Sequence, residues 1–451
     1  MKILQKLRGE KGQYLSALIV RIAGAGMMYG MNVALARIAS PEVYGTVAIG
    51  LAWGLVAMNL GSLGFNLSSI RFVAAYLHSE RRDQLLSFLK TAILLTALGA
   101  FIGCIISLTV GLAGAQFGFL EEKSASAYLF AIPMILVFPF LDVSGGMMRG
   151  YGTVVRSLLP YNVIFPLVVL CSVGIVALSP SLGMETPIAF YCLYAGTACA
   201  IVVSALLVSR KWPGNVQPAL EPERRKWIST SLATLPSAAS SFAVRQVDSI
   251  ILSFFVAPSQ IALYWLAGRV TRFVSFGLQA AHMVASPQFA RLKEEADMSG
   301  LQDIKSDTAH RVKMQSALSG AARATAVMAL PSIAAIALLG PTLLDVAGPE
   351  YRNGLPVLYI ILFGEAFNVI CGPNASFMNM TGLQNTLSKI STTILAMYVP
   401  LIFLGSSLYG ILGAAAAISL ATIIQNIATS LAAYRSFGVN TTMFSREVWC
   451  I

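Results

Sequence analysis

Charge is scarce in this chain: Asp, Glu, Lys and Arg make up 11% of its 451 residues, against roughly a quarter in an ordinary soluble domain. With 56% of its residues hydrophobic, the chain has too little polar surface for an ordinary globular enzyme. Metal-ligand spacing is missing too. Cys104, Cys171, Cys192, Cys199, Cys371 and Cys450 show no CxxC pair and mostly fall within apolar runs, so they read as small hydrophobes. His78, His282 and His310 are far apart in sequence, without the spacings of a histidine-based metal centre. GxSxG, HExxH and P-loop sequences are absent, which removes the commonest hydrolase and nucleotide chemistries. No metal or cofactor is expected, and transport rather than catalysis is the expected activity. The net charge of +11 would suggest nucleic acid in a soluble protein. Here most basic residues lie in short loops between apolar segments, so membrane topology explains them and no nucleic-acid partner is expected.

What the chain does have is length of apolar run. Segments of about 20 residues, enough to cross a hydrocarbon core as helix, recur along nearly all of it. Twelve spans are predicted, at about 14–39, 43–69, 88–113, 125–147, 158–180, 187–209, 229–256, 261–284, 316–340, 354–377, 389–407 and 410–434. The basic N-terminal stretch MKILQKLRGEKGQ precedes a segment with no obvious small-residue cleavage site, so it reads as a retained signal anchor. The loops then divide sharply. Twenty-three basic residues fall on one side, including Arg71, Arg81, Arg149, Arg156, Lys211 and Lys293, and only Lys123 and Arg352 on the other. The positive-inside rule predicts a multi-pass inner-membrane protein with both termini in the cytoplasm. One miscounted span in mid-chain would destroy that asymmetry.

An internal repeat is also visible. ALARIASPEVYGTVAIGLAWGL joins spans one and two, and LSFFVAPSQIALYWLAGRV joins spans seven and eight. In each, an apolar run reaches a proline (Pro41, Pro258), then a short turn and a tyrosine (Tyr44, Tyr264) that opens the next span. The expected fold is therefore all-α and polytopic, with two pseudo-symmetric six-helix bundles at 1–209 and 229–451 joined by a cytoplasmic linker at 210–228. Parallel repeats of this kind are common in carriers.

The turn LARIASPEVYGTVAIGLA, the following SLGFNLSSIRFVAAYL and the second-half DSIILSFFVAPSQIALYWLAGRV resemble the polysaccharide-transport family. Its members are Wzx-type flippases of lipid-linked repeat units, within the multidrug, oligosaccharidyl-lipid and polysaccharide exporter superfamily. The resemblance spans essentially the whole chain, although its motifs identify a superfamily rather than a substrate. It implies a V-shaped pair of bundles around a central cavity lined mainly by spans one, two, seven and eight. It further implies alternating access that carries an undecaprenyl-(pyro)phosphate-linked oligosaccharide, such as an O-antigen or exopolysaccharide unit, from the cytoplasmic to the periplasmic leaflet. A proton or sodium ion would couple transport, and polymerase machinery and membrane lipids would be partners.

Charges inside the spans are the candidate site. Away from the span edges, where Lys90 and Lys389 fall, all six basic residues are arginine, namely Arg21, Arg37, Arg245, Arg269, Arg272 and Arg323, and the acids are Asp142, Asp248 and Glu365. A charge at a helix centre costs about 2.5–3.5 kcal/mol, whereas each Leu, Ile, Phe or Val returns only about 0.3–0.6. Span seven, with Arg245 and Asp248, inserts poorly unless its charges are paired or face a cavity. At about 1.5 Å rise per residue, Asp248 and Arg269 lie at similar depths beside the turn near Gln260, and so do Arg245 and Arg272. Asp248 therefore has three possible partners: Arg245 on its own helix face, and Arg269 or Arg272 across the hairpin. A structural ion pair is the bland alternative for Asp248. Three arginines against one aspartate leave a surplus of about two positive charges, which suits a pyrophosphate diester, and arginine binds phosphate oxygens bidentately without losing its charge.

Arg21 and Arg37 are further substrate-contact candidates, with snorkelling to the interface as the alternative for Arg37. Arg323 opens span nine and is expected at the headgroups. Asp142, beside Gly145 and Gly146, is expected to be a hinge or interface residue. Glu365, mid-span with Asn368 nearby, is the second candidate coupling acid. Asn32, Asn59, Asn66 and Gln279 either bond sugar hydroxyls or join helices, and Tyr29, Tyr264 and Trp265 are expected at the membrane interface. Two other classes are weighed. A cation-coupled drug exporter of the same superfamily should present carboxylates rather than an arginine excess. A membrane-bound polymerase needs an outward loop longer than any in this chain.

Overall fold

The computed structural model describes residues 10–179, 183–214, 216–243, 246–299 and 307–443. Among the described residues the fold is all helix. In order these are α1 (Glu10–Ile38), α2 (Pro41–Gly61), α3 (Phe65–His78), α4 (Arg82–Gln116), α5 (Glu122–Gly150), α6 (Val154–Leu159), a π-helical turn (Pro160–Ile164), α7 (Phe165–Leu178) and α8 (Thr186–Ser209). There follow α9 (Arg224–Ala243), α10 (Val247–Leu252), α11 (Pro258–Thr271), α12 (Val274–Met298), α13 (Thr308–Asp345), a 3-10 turn (Pro349–Gly354), α14 (Leu355–Ile370), α15 (Asn374–Met380) and α16 (Gln384–Phe437). Nine helical stretches among the described residues are long and apolar enough to cross a membrane. The longest, α16, is two helices joined at Gly410, whose φ of 56° and ψ of −132° no helix adopts. With the more polar, interrupted pairs α9–α10 and α11–α12, the protein is a polytopic membrane protein of about twelve transmembrane helices.

The chain separates into two compact units, Met1–Ala262 and Leu263–Ile451. In the first, Ser40 caps α2 by accepting from the Val43 amide at 3.3 Å, with Pro41 supplying the fixed φ of a first helical residue. The second crossing then breaks. Leu63 (φ 49°) and Gly64 (φ 78°) turn the chain between α2 and α3, and a side chain at Gly64 would overlap the Ser231 carbonyl of α9. Close approach of α9 is therefore built into that break. α9 packs on α2, α3 and α4, and α10 packs on α2. Ser231 meets Ser68 at 2.6 Å, Ser253 meets Tyr128 at 2.8 Å, and the Trp227 indole donates to the Tyr76 hydroxyl at 2.7 Å. Trp227 completes an aromatic core with Phe65, Phe72, Tyr76 and Phe88. The second repeat turn lies against the first: a Cβ on Gly45 would overlap the Pro258 carbonyl. The linker and the seventh crossing thus belong to the first compact unit, whereas the sequence repeat begins again at the linker.

In the second unit Asp307 caps α13 by accepting from the amides of Ala309 and His310. Phe289, Phe377 and Phe437 bring α12, α15 and the end of α16 into one core. Both halves close in the same way. In the first, Gln84 of α4 donates to the Glu221 carbonyl (2.9 Å) and accepts from the Glu223 amide (3.4 Å). In the second, Gln315 of α13 donates to the Asn440 carbonyl (2.9 Å) and accepts from the Asn440 amide (2.7 Å). Each glutamine lies on the third crossing of its half and holds the segment that follows the sixth.

Candidate functional site

The seventh crossing is not one helix. α9 is described as far as Ala243, and α10 starts at Val247 after Gln246, whose φ of −134° is non-helical. Such a break exposes main-chain groups that an uninterrupted helix would pair, and membrane proteins keep irregular backbone only where protein or a wet cavity satisfies it. Asp248, 6% exposed, sits in the first turn of α10. It accepts from the Ser249 amide at 2.7 Å, and its charge complements the helix start. Arg245, the other member of the pair that the sequence singles out, lies outside the described residues. In the second unit the eighth crossing breaks as well: α11 ends at Thr271, and Arg272 and Phe273 precede α12. Arg269 lies over the Trp265 ring, 3.8 Å from its centroid, a cation–π contact. Asp248, Arg269, Arg272, Arg37 and Glu365 all have interactions within the protein.

The first unit holds a second charged group. Arg149 is in the last turn of α5, half-buried, with its Nε donating to the Gly145 carbonyl at 3.2 Å. Asp142 and Arg21 both lie within its electrostatic reach. Ser62 and Asn66, from the break between α2 and α3, reach the Asp142 carboxylate, whose Oδ2 is buried without a hydrogen-bond partner among the described residues. Gly146, one turn on, abuts the Asn66 backbone so closely that a Cβ would overlap its carbonyl. Asp142 thus stands at the α3–α5 contact. α1 reaches the same region through Gly24, where a Cβ would come within 2.7 Å of Asn162 in the π-helical turn.

Arg149 is the charged neighbour of Asp142 that sequence reasoning missed. The apolar run ends near residue 147, which puts Arg149 in a loop, but α5 continues to Gly150. A signal was available, since residues seven apart, as Asp142 and Arg149 are, share one helix face. α13 begins at Thr308, so Arg323 lies about four turns into that helix.

Asn32 and Asn59 both bond within the protein. Asn32 donates to the Met28 carbonyl and accepts from the Tyr44 hydroxyl at 3.0 Å while 1% exposed, so it ties helices together. Asn59 donates to the Leu55 carbonyl of its own helix. Tyr264 and Trp265 are 3% and 4% exposed, which makes them packing residues rather than interfacial anchors. Glu365 accepts from Asn368 at 3.3 Å. Arg37 is exposed in the last turn of α1, where its charge complements the helix end.

A sequence profile described as "Polysaccharide biosynthesis protein" matches residues 13–293. The chain belongs to this family. No curated protein sequence matches it. Among solved structures it is similar to an inward-facing multidrug resistance MATE family transporter of the MOP superfamily, with a TM-score of 0.68, 14% identity and coverage of 93% of this chain and 98% of that one. It is also similar to the lipid II flippase MurJ in an inward closed conformation, with a TM-score of 0.66, 17% identity and coverage of 93% and 86%. A third is a MOP superfamily transporter from Pyrococcus furiosus, with a TM-score of 0.56, 16% identity and coverage of 97% and 98%. At these identities the likeness establishes the fold, which is that of the MOP superfamily.

Proposed function

We propose that this protein is an alternating-access flippase that carries a lipid-linked oligosaccharide repeat unit across the membrane for surface polysaccharide synthesis. The observation that carries this reading is the chemistry of the intramembrane bases. Apart from Lys90 and Lys389 at the edges of their spans, every Lys or Arg in the predicted spans is arginine, the side chain that grips phosphate oxygens in pairs and keeps its charge when buried. Family membership supplies the polysaccharide context. In this proposal Arg245, Arg269 and Arg272, with Arg21 and Arg37, contact the (pyro)phosphate of the polyprenyl carrier. Asp248 organises the arginines near the seventh and eighth crossings, and Asp248 or Glu365 carries a coupling proton or sodium ion. The protein works in a bacterial inner membrane with both termini in the cytoplasm, delivering its cargo to polymerase machinery outside.

The test is mass spectrometry of undecaprenyl-linked saccharides in a deletion strain, with leaflet accessibility measured in parallel. One lipid-linked species should accumulate facing the cytoplasm, and its structure identifies the cargo. Unchanged lipid-linked pools, with a changed efflux of small cations, would favour a drug exporter instead.

A further inference from the structure

We propose that Arg149 and Arg21 form an anion site in the first unit whose resident counter-ion is Asp142, and that the phosphate of a polyprenyl-phosphate ligand displaces it. The proposal rests on the reading of the chain as a carrier of lipid-linked cargo and adds a phosphate subsite on α1 and α5.

The two guanidinium groups are close enough to act on each other, yet neither makes a salt bridge among the described residues. Like charges brought together at the edge of an apolar bundle repel unless an anion stands between or beside them. The anion on hand is Asp142, and it is incompletely held: Ser62 and Asn66 reach the carboxylate, but Oδ2 is buried without a hydrogen-bond partner among the described residues. A carboxylate left short of partners is a counter-ion that can be exchanged, because a phosphate offers more acceptor oxygens to two arginines than it can. The site is also open on one side. Arg21 is exposed on α1, while Arg149 is half-buried and, among the described residues, commits only its Nε, to the Gly145 carbonyl. Its terminal nitrogens remain for a ligand.

Charge decides between an anion and a cation as the occupant. A sodium ion bound at Asp142 would face Arg149 with Arg21 behind it, two positive charges against one negative. An anion at the arginines meets the opposite balance. The occupant is therefore an anion, on the carrier reading a phosphate, and the remaining question is whether that phosphate is the headgroup of the polyprenyl carrier, an ordinary anionic phospholipid or free phosphate.

The experiment uses the purified full-length protein in nanodiscs, with undecaprenyl phosphate as the probe and binding read by native mass spectrometry. Inorganic pyrophosphate and phosphatidylglycerol serve as competitors. Arg149→Ala should weaken probe binding about tenfold or more, the scale of a lost charge-assisted hydrogen bond. Asp142→Asn should tighten it about fivefold or more, the lower end of a usual coupling between two ligands that exclude each other. The double variant should behave like Arg149→Ala alone. Phosphatidylglycerol should not compete at equal concentration; if it competes fully, the site is a general headgroup site and the assignment to the carrier falls. Full competition by inorganic pyrophosphate at equal concentration would likewise assign the site to free phosphate.

Wild-type binding that survives in Arg149→Ala within twofold, with normal membrane abundance, overturns the proposal. If that variant does not accumulate, Asp142→Asn decides, and unchanged or weaker binding overturns it. Arg272→Ala separates the two levels. Loss of binding there but not in Arg149→Ala leaves the flippase reading intact and removes only the added subsite. No probe binding by the wild type removes the flippase reading itself.

Discussion

At the scale of single residues, an arginine in a membrane helix has to be held by something, and the structure shows different solutions along the chain. Arg269 rests on Trp265, Arg149 bonds its own helix, and Arg272 sits where the helix stops. Of the three, Arg272 alone lies outside an α-helix. Arg272→Ala should therefore abolish export while the protein remains in the membrane at normal abundance. Lysine should restore it only in part, because a point charge cannot reproduce the bidentate fork. Normal transport by the alanine variant would remove Arg272 from the cargo site.

Asp248 allows a sharper comparison. Its Oδ1 accepts from the Ser249 amide, an acceptor that asparagine keeps, so Asp248→Asn removes the charge and spares that bond. If the charge is structural, membrane abundance should drop, since breaking a buried ion pair by removing one partner costs about 3–5 kcal/mol. If it couples transport, abundance should hold while the pH or sodium dependence of export changes. Quantitative immunoblotting beside a transport assay reads both.

At the scale of elements, the sequence carried the helices well and their breaks poorly. Apolar runs mark where crossings lie, because lipid demands them continuously. A break of two or three residues, as at Ser62–Gly64, Arg272–Phe273 or Cys371–Pro373, leaves the average hydrophobicity of its window unchanged. Leu63 at φ 49° has no composition cue at all. The loop contacts were equally illegible, since nothing in the linker's composition says that Gln84, Ser87, Arg81 and Tyr76 will hold it.

Glu223 is the centre of that attachment, accepting from Lys226 (2.8 Å), Arg81 (2.8 Å) and Tyr76 (3.2 Å). Lys226, and then Arg81, hold its carboxyl below the usual carboxylate range. A carboxylate lowered on folding stabilises the fold above its unfolded value of about 4.3, and that contribution disappears as pH falls through the lower folded value. Trp227, bonded to the same Tyr76 hydroxyl, is the local reporter. Its emission should shift only below about pH 4. Glu223→Gln should show the shifted emission at neutral pH, with a loss of about 0.5–1 kcal/mol, the scale of exposed ion pairs. A wild-type shift centred at or above pH 5 would assign the transition to another group.

At the scale of the whole molecule, the twelve-crossing plan and the repeated Pro–Tyr turns were readable because both follow from the chain's own periodicity. The division into compact units was not. Repeats mark shared ancestry of segments, whereas compactness depends on which surfaces meet, and the seventh crossing meets the helices before it. Ser68 with Ser231, Tyr128 with Ser253 and Tyr76 with Trp227 are all bonds between the first six crossings and the seventh. A fragment ending at residue 214 leaves these groups unmatched, at about 0.6 kcal/mol for each polar contact in a membrane, and strips the aromatic core of Trp227. A fragment ending at residue 262 keeps them all, together with the fit of Gly45 against Pro258. Expressed separately, the 1–262 fragment should accumulate in membranes several-fold above the 1–214 fragment and resist trypsin longer. The substitution Trp227→Ala in the longer fragment should erase much of that advantage. Equal abundance and equal protease resistance of the two fragments would mean that the first six crossings are stable without the seventh.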